Sequence, residues 1–150
     1  MKQLFGFTAL SLFLLTIHIN TFAQLRKIPA EVTDTFSDKY PGAKEVEWKD
    51  KLTSFAASFT MDDIAYLAYF NTRGVWQSTE QEVTESDLPD VVKDSYSKSK
   101  YADWTIENVH KIQLPDEEVR YRVEVASGDI KKRNLYFNSK GRLLKDNLTL

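Results

Sequence analysis

The sequence predicts an α+β fold of tandem duplicated α-β-β-β-β units, forming a curved antiparallel sheet with two helices on one face. Three observations predict it. A six-residue phrase occurs twice, YFNTRG at 69–74 and YFNSKG at 136–141. A Pro-led segment also occurs twice, IPAEVTDTFSDKYPGA at 28–43 and LPDVVKDSYSKSKYAD at 88–103. After each such segment the apolar period shortens to two, as in strands with one packed face. Pro29 and Pro89, Val32 and Val92, and Phe36 and Tyr96 recur at a spacing of 60, whereas Gly74 and Gly141 recur at 67. Each half therefore starts and ends alike, and the repeat is a supersecondary unit rather than a solenoid module.

Residues 1–23, MKQLFGFTALSLFLLTIHINTFA, precede the first unit. Lys2 opens a mostly apolar run that ends in Ala23, a small residue before Gln24. This is the pattern of a cleaved signal peptide, and the run is shorter than the ~20 residues a spanning helix needs. No Cys lies nearby to carry a lipid. The expected mature domain is 24–150, built of repeats 24–82 and 83–150.

Each unit opens with a helix. Pro29 and Pro89 suit a first helical turn, where a missing N–H is harmless. Ile28, Val32, Phe36 and Tyr40 then line one face at a spacing of four, as do Leu88, Val91, Val92, Tyr96 and Tyr101 in the second half. Tyr40-Pro41-Gly42 stops the first helix, with Gly42 expected in left-handed geometry. The second is expected to end near Lys100.

Strands follow. In 43–49, Val46 and Trp48 alternate with Glu45 and Glu47. Phe55, Ala57 and Phe59 share a face in the next strand, Asp62-Asp63 makes a tight turn, 64–70 returns, and 75–82 leads out. The polar stretch 80–87 reads as the linker between halves. The second half repeats the plan over 104–112, 118–126, 130–137 and 142–147, with Tyr121, Val123 and Val125 alternating with Arg120, Arg122 and Glu124.

The twin phrase encodes two hairpin turns. Asn71 and Asn138 hold the first turn position, and Gly74 and Gly141 take the left-handed position that completes a loop with a bulge. That loop sets the register: Phe70 falls opposite Trp76 and Phe137 opposite Leu143, all four on the core face.

Composition narrows the function classes. The chain is 42% hydrophobic and 13% aromatic, enough for a real core. Its formal charge is −2, or −3 once Lys2 is removed, which gives no electrostatic ground for nucleic-acid binding. With no Cys there is neither disulfide nor thiol chemistry. After residue 23 the one histidine is His110, in a strand segment, and nothing resembling G-x-S-x-G surrounds the serines. The acidic groups Asp62-Asp63 and Asp116-Glu117-Glu118 fall at turns, where such residues serve turn chemistry. Neither zinc spacing nor a phosphate-cradling loop occurs. The residues predict no catalytic site, no metal and no cofactor.

The interest lies on the sheet face away from the helices. The expected register puts Ala56, Ser58, Ala65, Leu67, Tyr69 and Gln77 there from the first half, and Arg120, Arg122, Tyr136 and Leu144 from the second. Small residues leave room for a partner, and Tyr and Arg are enriched where partners bind. The candidate binding residues are Leu67, Tyr69, Gln77, Arg120, Arg122, Tyr136 and Leu144.

KYPGAKEVEW, the aromatic hairpin and YFNTRGVW, followed by a second round, resemble the PepSY-like family related to β-lactamase inhibitor proteins. The resemblance spans essentially the whole mature chain, without the inhibitors' disulfide cysteines. It implies a non-enzymatic, secreted or periplasmic protein with a concave sheet that grips a partner. The expected function is a periplasmic binding module, open to inhibition as its mode, acting on a protein or peptide of the cell envelope. The alternative is a small-molecule or lipid binder at the junction of the two repeats. No membrane span is expected after signal cleavage.

Overall fold

A computed structural model describes residues 27–148; the expected signal peptide lies outside the described residues. Helix α1 (Ala30–Lys39) precedes strands β1 (Lys44–Asp50), β2 (Ser54–Met61), β3 (Ile64–Asn71) and β4 (Trp76–Val83). Helix α2 (Asp90–Ser97) precedes β5 (Thr105–Gln113), β6 (Val119–Ser127), β7 (Lys131–Asn138) and β8 (Leu143–Leu148). The eight strands form one antiparallel sheet in chain order. The pairing of β4 with β5, from Thr79 opposite Gln113 to Val83 opposite Val109, joins the halves into a single sheet.

Both helices start just after a proline. The carbonyl of Pro29 accepts from Val32 N at 3.1 Å, and that of Pro89 from Val92 N at 2.9 Å. The prolines are thus N-caps, one position before the expected first turn. Tyr40 leaves helical geometry at φ −129° and Pro41 prevents resumption; Gly42 is not left-handed, contrary to expectation. Helix α2 ends at Ser97, three residues before Lys100, and turns carry the chain to β5.

Both helices pack on the same sheet face, each over its own core. Under α1, Phe36 meets Phe59 edge to face at 5.1 Å and Trp48 at 5.3 Å, around fully buried Val32, Phe55 and Phe70. Under α2, Val92 packs with Leu88, Tyr101, Val109, Val123, Leu135 and Phe137. Three residues expected on these core faces lie outside. Val91 points to solvent, Leu143 is 38% exposed, and Val46 is 38% exposed. Val46 is displaced by a bulge between Lys44 and Glu47, where Glu45 adopts φ +53°. Four residues of the expected linker, Glu80–Val83, belong to β4; the connection is a single 3-10 turn, Glu85–Asp87, closed by Thr84 and Asp87.

The twin hairpins form as the residues dictate. Asn71 Oδ1 accepts from Arg73 N (2.9 Å) and Val75 N (3.0 Å), and Asn138 Oδ1 from Lys140 N (3.1 Å) and Arg142 N (2.9 Å). Gly74 has φ +82° and Gly141 φ +83°. Phe70 pairs with Trp76 and Phe137 with Leu143. Each glycine also abuts the start of its helix: a Cβ on Gly74 would lie 2.7 Å from the carbonyl carbon of Glu31, and one on Gly141 2.9 Å from that of Val91. The repeated phrase therefore makes a turn and a turn-to-helix seat in each half.

Candidate functional site

Among the described residues no element covers the sheet face opposite the helices. Cross-strand register places its side chains in rows. One row runs Glu47, Ser58, Leu67, Glu80, Ile112, Arg120 across β1 to β6. The next runs Glu82, His110, Arg122, Tyr136, Lys145 across β4 to β8. Tyr69 stands beside them, opposite Ala56 on one side and Ser78 on the other. Ala56 and Ile112 are buried beneath the larger side chains.

The structure puts Leu67, Tyr69, Arg120, Arg122 and Tyr136 on this face, together with Ala56, Ser58 and Ala65. Gln77 and Leu144 are corrections. Each is the extra residue of a bulge: Tyr69 pairs with Ser78 while Phe70 pairs with Trp76, and Tyr136 pairs with Lys145 while Phe137 pairs with Leu143. The positions expected for Gln77 and Leu144 belong to Ser78 and Lys145. A bulge changes which residue faces which side without altering composition, so alternation past the turn misreads it.

Charge is concentrated at the centre. Arg122 Nη1 lies 3.0 Å from Glu80 Oε2, and Arg122 Nε lies 3.3 Å from Glu124 Oε1. Glu124 Oε1 is in turn 3.5 Å from His110 Nε2. These side chains are largely withdrawn from solvent, Glu80 to 13% and Arg122 to 18% exposure. Arg122 Nε is buried without an aligned hydrogen bond, so the guanidinium keeps unused donor capacity. Burial, reinforced by the Glu80 carboxylate, raises the Tyr69 phenol above its ordinary value, so it remains a donor. Burial and the Arg122 charge hold the His110 imidazole below its usual range, outweighing its carboxylate neighbours. Glu80, Ile112, Ser78 and Lys145 are members of the surface that sequence reasoning missed. Glu124 was legible as a neighbour of Arg120 and Arg122 by alternation, whereas Glu80 becomes visible only once β4 is known to pair with β5.

A second concavity sits on the helix side at the junction of the halves. It is a cleft of about 250 Å³ lined by Tyr40, Met61, Tyr66, Thr79, Gln81 and Lys111, among others. The buried Thr79 hydroxyl accepts from Trp76 Nε1 at 2.9 Å and is bonded to the Tyr40 hydroxyl. Among the described residues, no three His, Asp or Glu side chains converge as metal ligands. No helix there is long and apolar enough to cross a membrane. The acidic pairs Asp62-Asp63 and Asp116-Glu117 sit in hairpin turns with φ between +52° and +62°, consistent with turn chemistry.

Residues 53–145 match the family profile "Putative beta-lactamase-inhibitor-like, PepSY-like". No curated protein matches the sequence significantly. Among solved structures, a DUF2874 family protein from Bacteroides ovatus ATCC 8483 is similar at 27% identity and a TM-score of 0.74, over 81% of this chain and 88% of that one. A BLIP-like protein from Bacteroides fragilis NCTC 9343 is similar at 27% identity and a TM-score of 0.71, over 81% and 86%. A putative periplasmic protein from Bacteroides eggerthii DSM 20697 shares the fold at 21% identity and a TM-score of 0.74, over 81% and 89%.

Proposed function

This chain belongs to the β-lactamase-inhibitor-like, PepSY-like family, and from that premise we propose that it is a non-enzymatic binding module of the periplasm, with its uncovered sheet face as the receptor for a protein or peptide. The observation that carries the proposal is the central group Tyr69, Glu80, Arg122 and Tyr136 on a face that no described element covers. Tyrosine and arginine supply large contact area and directional donors, and they dominate binding energy at interfaces. The face is also large enough. Eight strands ~4.8 Å apart and ~23 Å long present roughly 800 Å², the share of one partner in a standard interface. Inhibition of an enzyme is one outcome of such binding, in line with the BLIP-like neighbour.

The test is a Tyr69→Ala/Tyr136→Ala double variant with an unchanged circular dichroism spectrum, used as bait in envelope extract beside the parent. The partner held by the parent should be lost. Equal capture by both proteins would refute the assignment. Titration of purified β-lactamases with the protein tests the inhibitory form directly. The junction cleft supports a second reading, a small-molecule site, because a buried hydroxyl stands at its wall. Ligands for it would raise the melting temperature in a thermal-shift screen.

A further inference from the structure

A third concavity lies away from both of these surfaces, at the far edge of the second half. We propose that it is a binding site for a single-chain anionic amphiphile, a long-chain carboxylate. The cavity measures about 450 Å³, within the range of small-molecule sites. Its apolar part is formed by Tyr101 and Trp104, stacked edge to face at 5.2 Å, with Ile130 and Leu148 beside them. Ile130 is 94% exposed and Leu148 64% exposed. Two large aliphatic side chains held in water beside an aromatic pair form an apolar surface that an acyl chain would cover.

Every charged side chain lining the cavity is a cation: Lys100, Lys131, Lys132 and Arg133. Carboxylates outside the lining answer only part of that charge. Asp146 is shared by Lys100 (3.2 Å) and Arg133 (3.6 Å), and it also accepts from the Tyr101 hydroxyl. Glu107 takes Lys132 at 2.9 Å. Among the described residues Lys131 has no ion pair, and it stands next to Ile130, so a head group bound there would neutralise it while the tail covers the isoleucine. Size restricts the tail to one chain. At ~30 Å³ for a group the size of a water or a methylene, the cavity holds about fifteen such groups, too few for a diacyl lipid.

Calorimetric titration of the full chain with sub-micellar dodecanoate tests the site. Saturable one-to-one binding is expected, at least tenfold tighter than for dodecyl maltoside, and weakening two- to fourfold for each methylene removed. Ile130→Asp and Lys131→Glu should each weaken it at least tenfold. Both positions are at the surface, so the unliganded melting temperature should stay unchanged; if it falls, Ile130→Ser and Lys131→Gln carry the comparison. The proposal is overturned by absence of saturable binding, by equal affinity for the maltoside, or by variants that bind as well as the parent. It is equally overturned if the protein binds phosphatidylglycerol vesicles but not dodecanoate.

Discussion

Replacing Gly74 by alanine separates two costs that a hairpin glycine can carry. The first is conformational. At φ +82° a residue with a side chain is strained by about 1 kcal/mol. The second is steric. The new Cβ would sit 2.7 Å from the carbonyl carbon of Glu31, where ordinary contact begins at 3.4 Å. The carbonyl oxygen of Glu31 is nearer still, so the turn and the first turn of α1 must separate by more than the 0.7 Å that the carbon alone requires. That lifts Val32 and Phe36, both buried, from the sheet, and overpacking of this kind costs about 1–3 kcal/mol. The expected total is about 2–4 kcal/mol, measured by urea denaturation. Gly128 provides the control, with φ +65° and no heavy atom within 4 Å of the place a Cβ would take. Gly128→Ala should carry the conformational cost alone. Asparagine tolerates left-handed geometry, so Gly128→Asn should be nearly neutral while Gly74→Asn remains as damaging as alanine. If Gly74→Asn regains the parent's stability, or Gly74→Ala costs no more than Gly128→Ala, the turn-to-helix seat does not operate.

Two further outcomes follow from polar groups at the centre of the sheet. Thr79→Val removes the oxygen that receives Trp76 Nε1 and bonds the Tyr40 hydroxyl; the unpaired donors should cost about 1–3 kcal/mol, with Thr79→Ser restoring most of it in the same denaturation assay. His110 is held below its usual pKa in the folded chain, so the unfolded chain takes up the proton first as pH falls. Stability is therefore present above the unfolded value of about 6.5 and is lost as pH falls below it. Between pH 7.5 and 5.5 the parent's melting temperature should drop more steeply than that of His110→Gln, and parallel curves would contradict the assignment.

Element order and the hairpin turns were legible because their signals are local. Pro29 and Pro89 mark the helix starts, and Asn71 with Gly74, like Asn138 with Gly141, specifies a loop within six residues. Alternation located all eight strands for the same reason. What escaped was parity and long-range pairing. The bulges at Gln77 and Leu144 leave no compositional trace, so two candidate residues were assigned to the wrong positions. The Glu80–Arg122 bridge connects strands separated by a third, across a junction whose register no turn dictates. Glu80 accordingly read as part of an acidic linker. The exposure of Val91 and Leu143 depends on how each helix and hairpin meets the sheet, which alternation within one element does not encode.

The junction of the two halves has a consequence for partner binding. Five cross-strand pairs join β4 to β5, and on the helix side Thr79, Gln81, Lys111 and Gln113 stand where an apolar layer would otherwise stiffen them. Backbone hydrogen bonds keep the strands together there, and at one end of the seam Val83 packs with buried Val109 against the second core. The Glu80–Arg122 pair spans that seam on the other side, one charge on each half. The two halves thus meet at a seam held by backbone pairing and by this charge pair rather than by a shared apolar layer. A carboxylate brought by a partner to Arg122 would compete with Glu80 for that guanidinium, at the line where the two halves join.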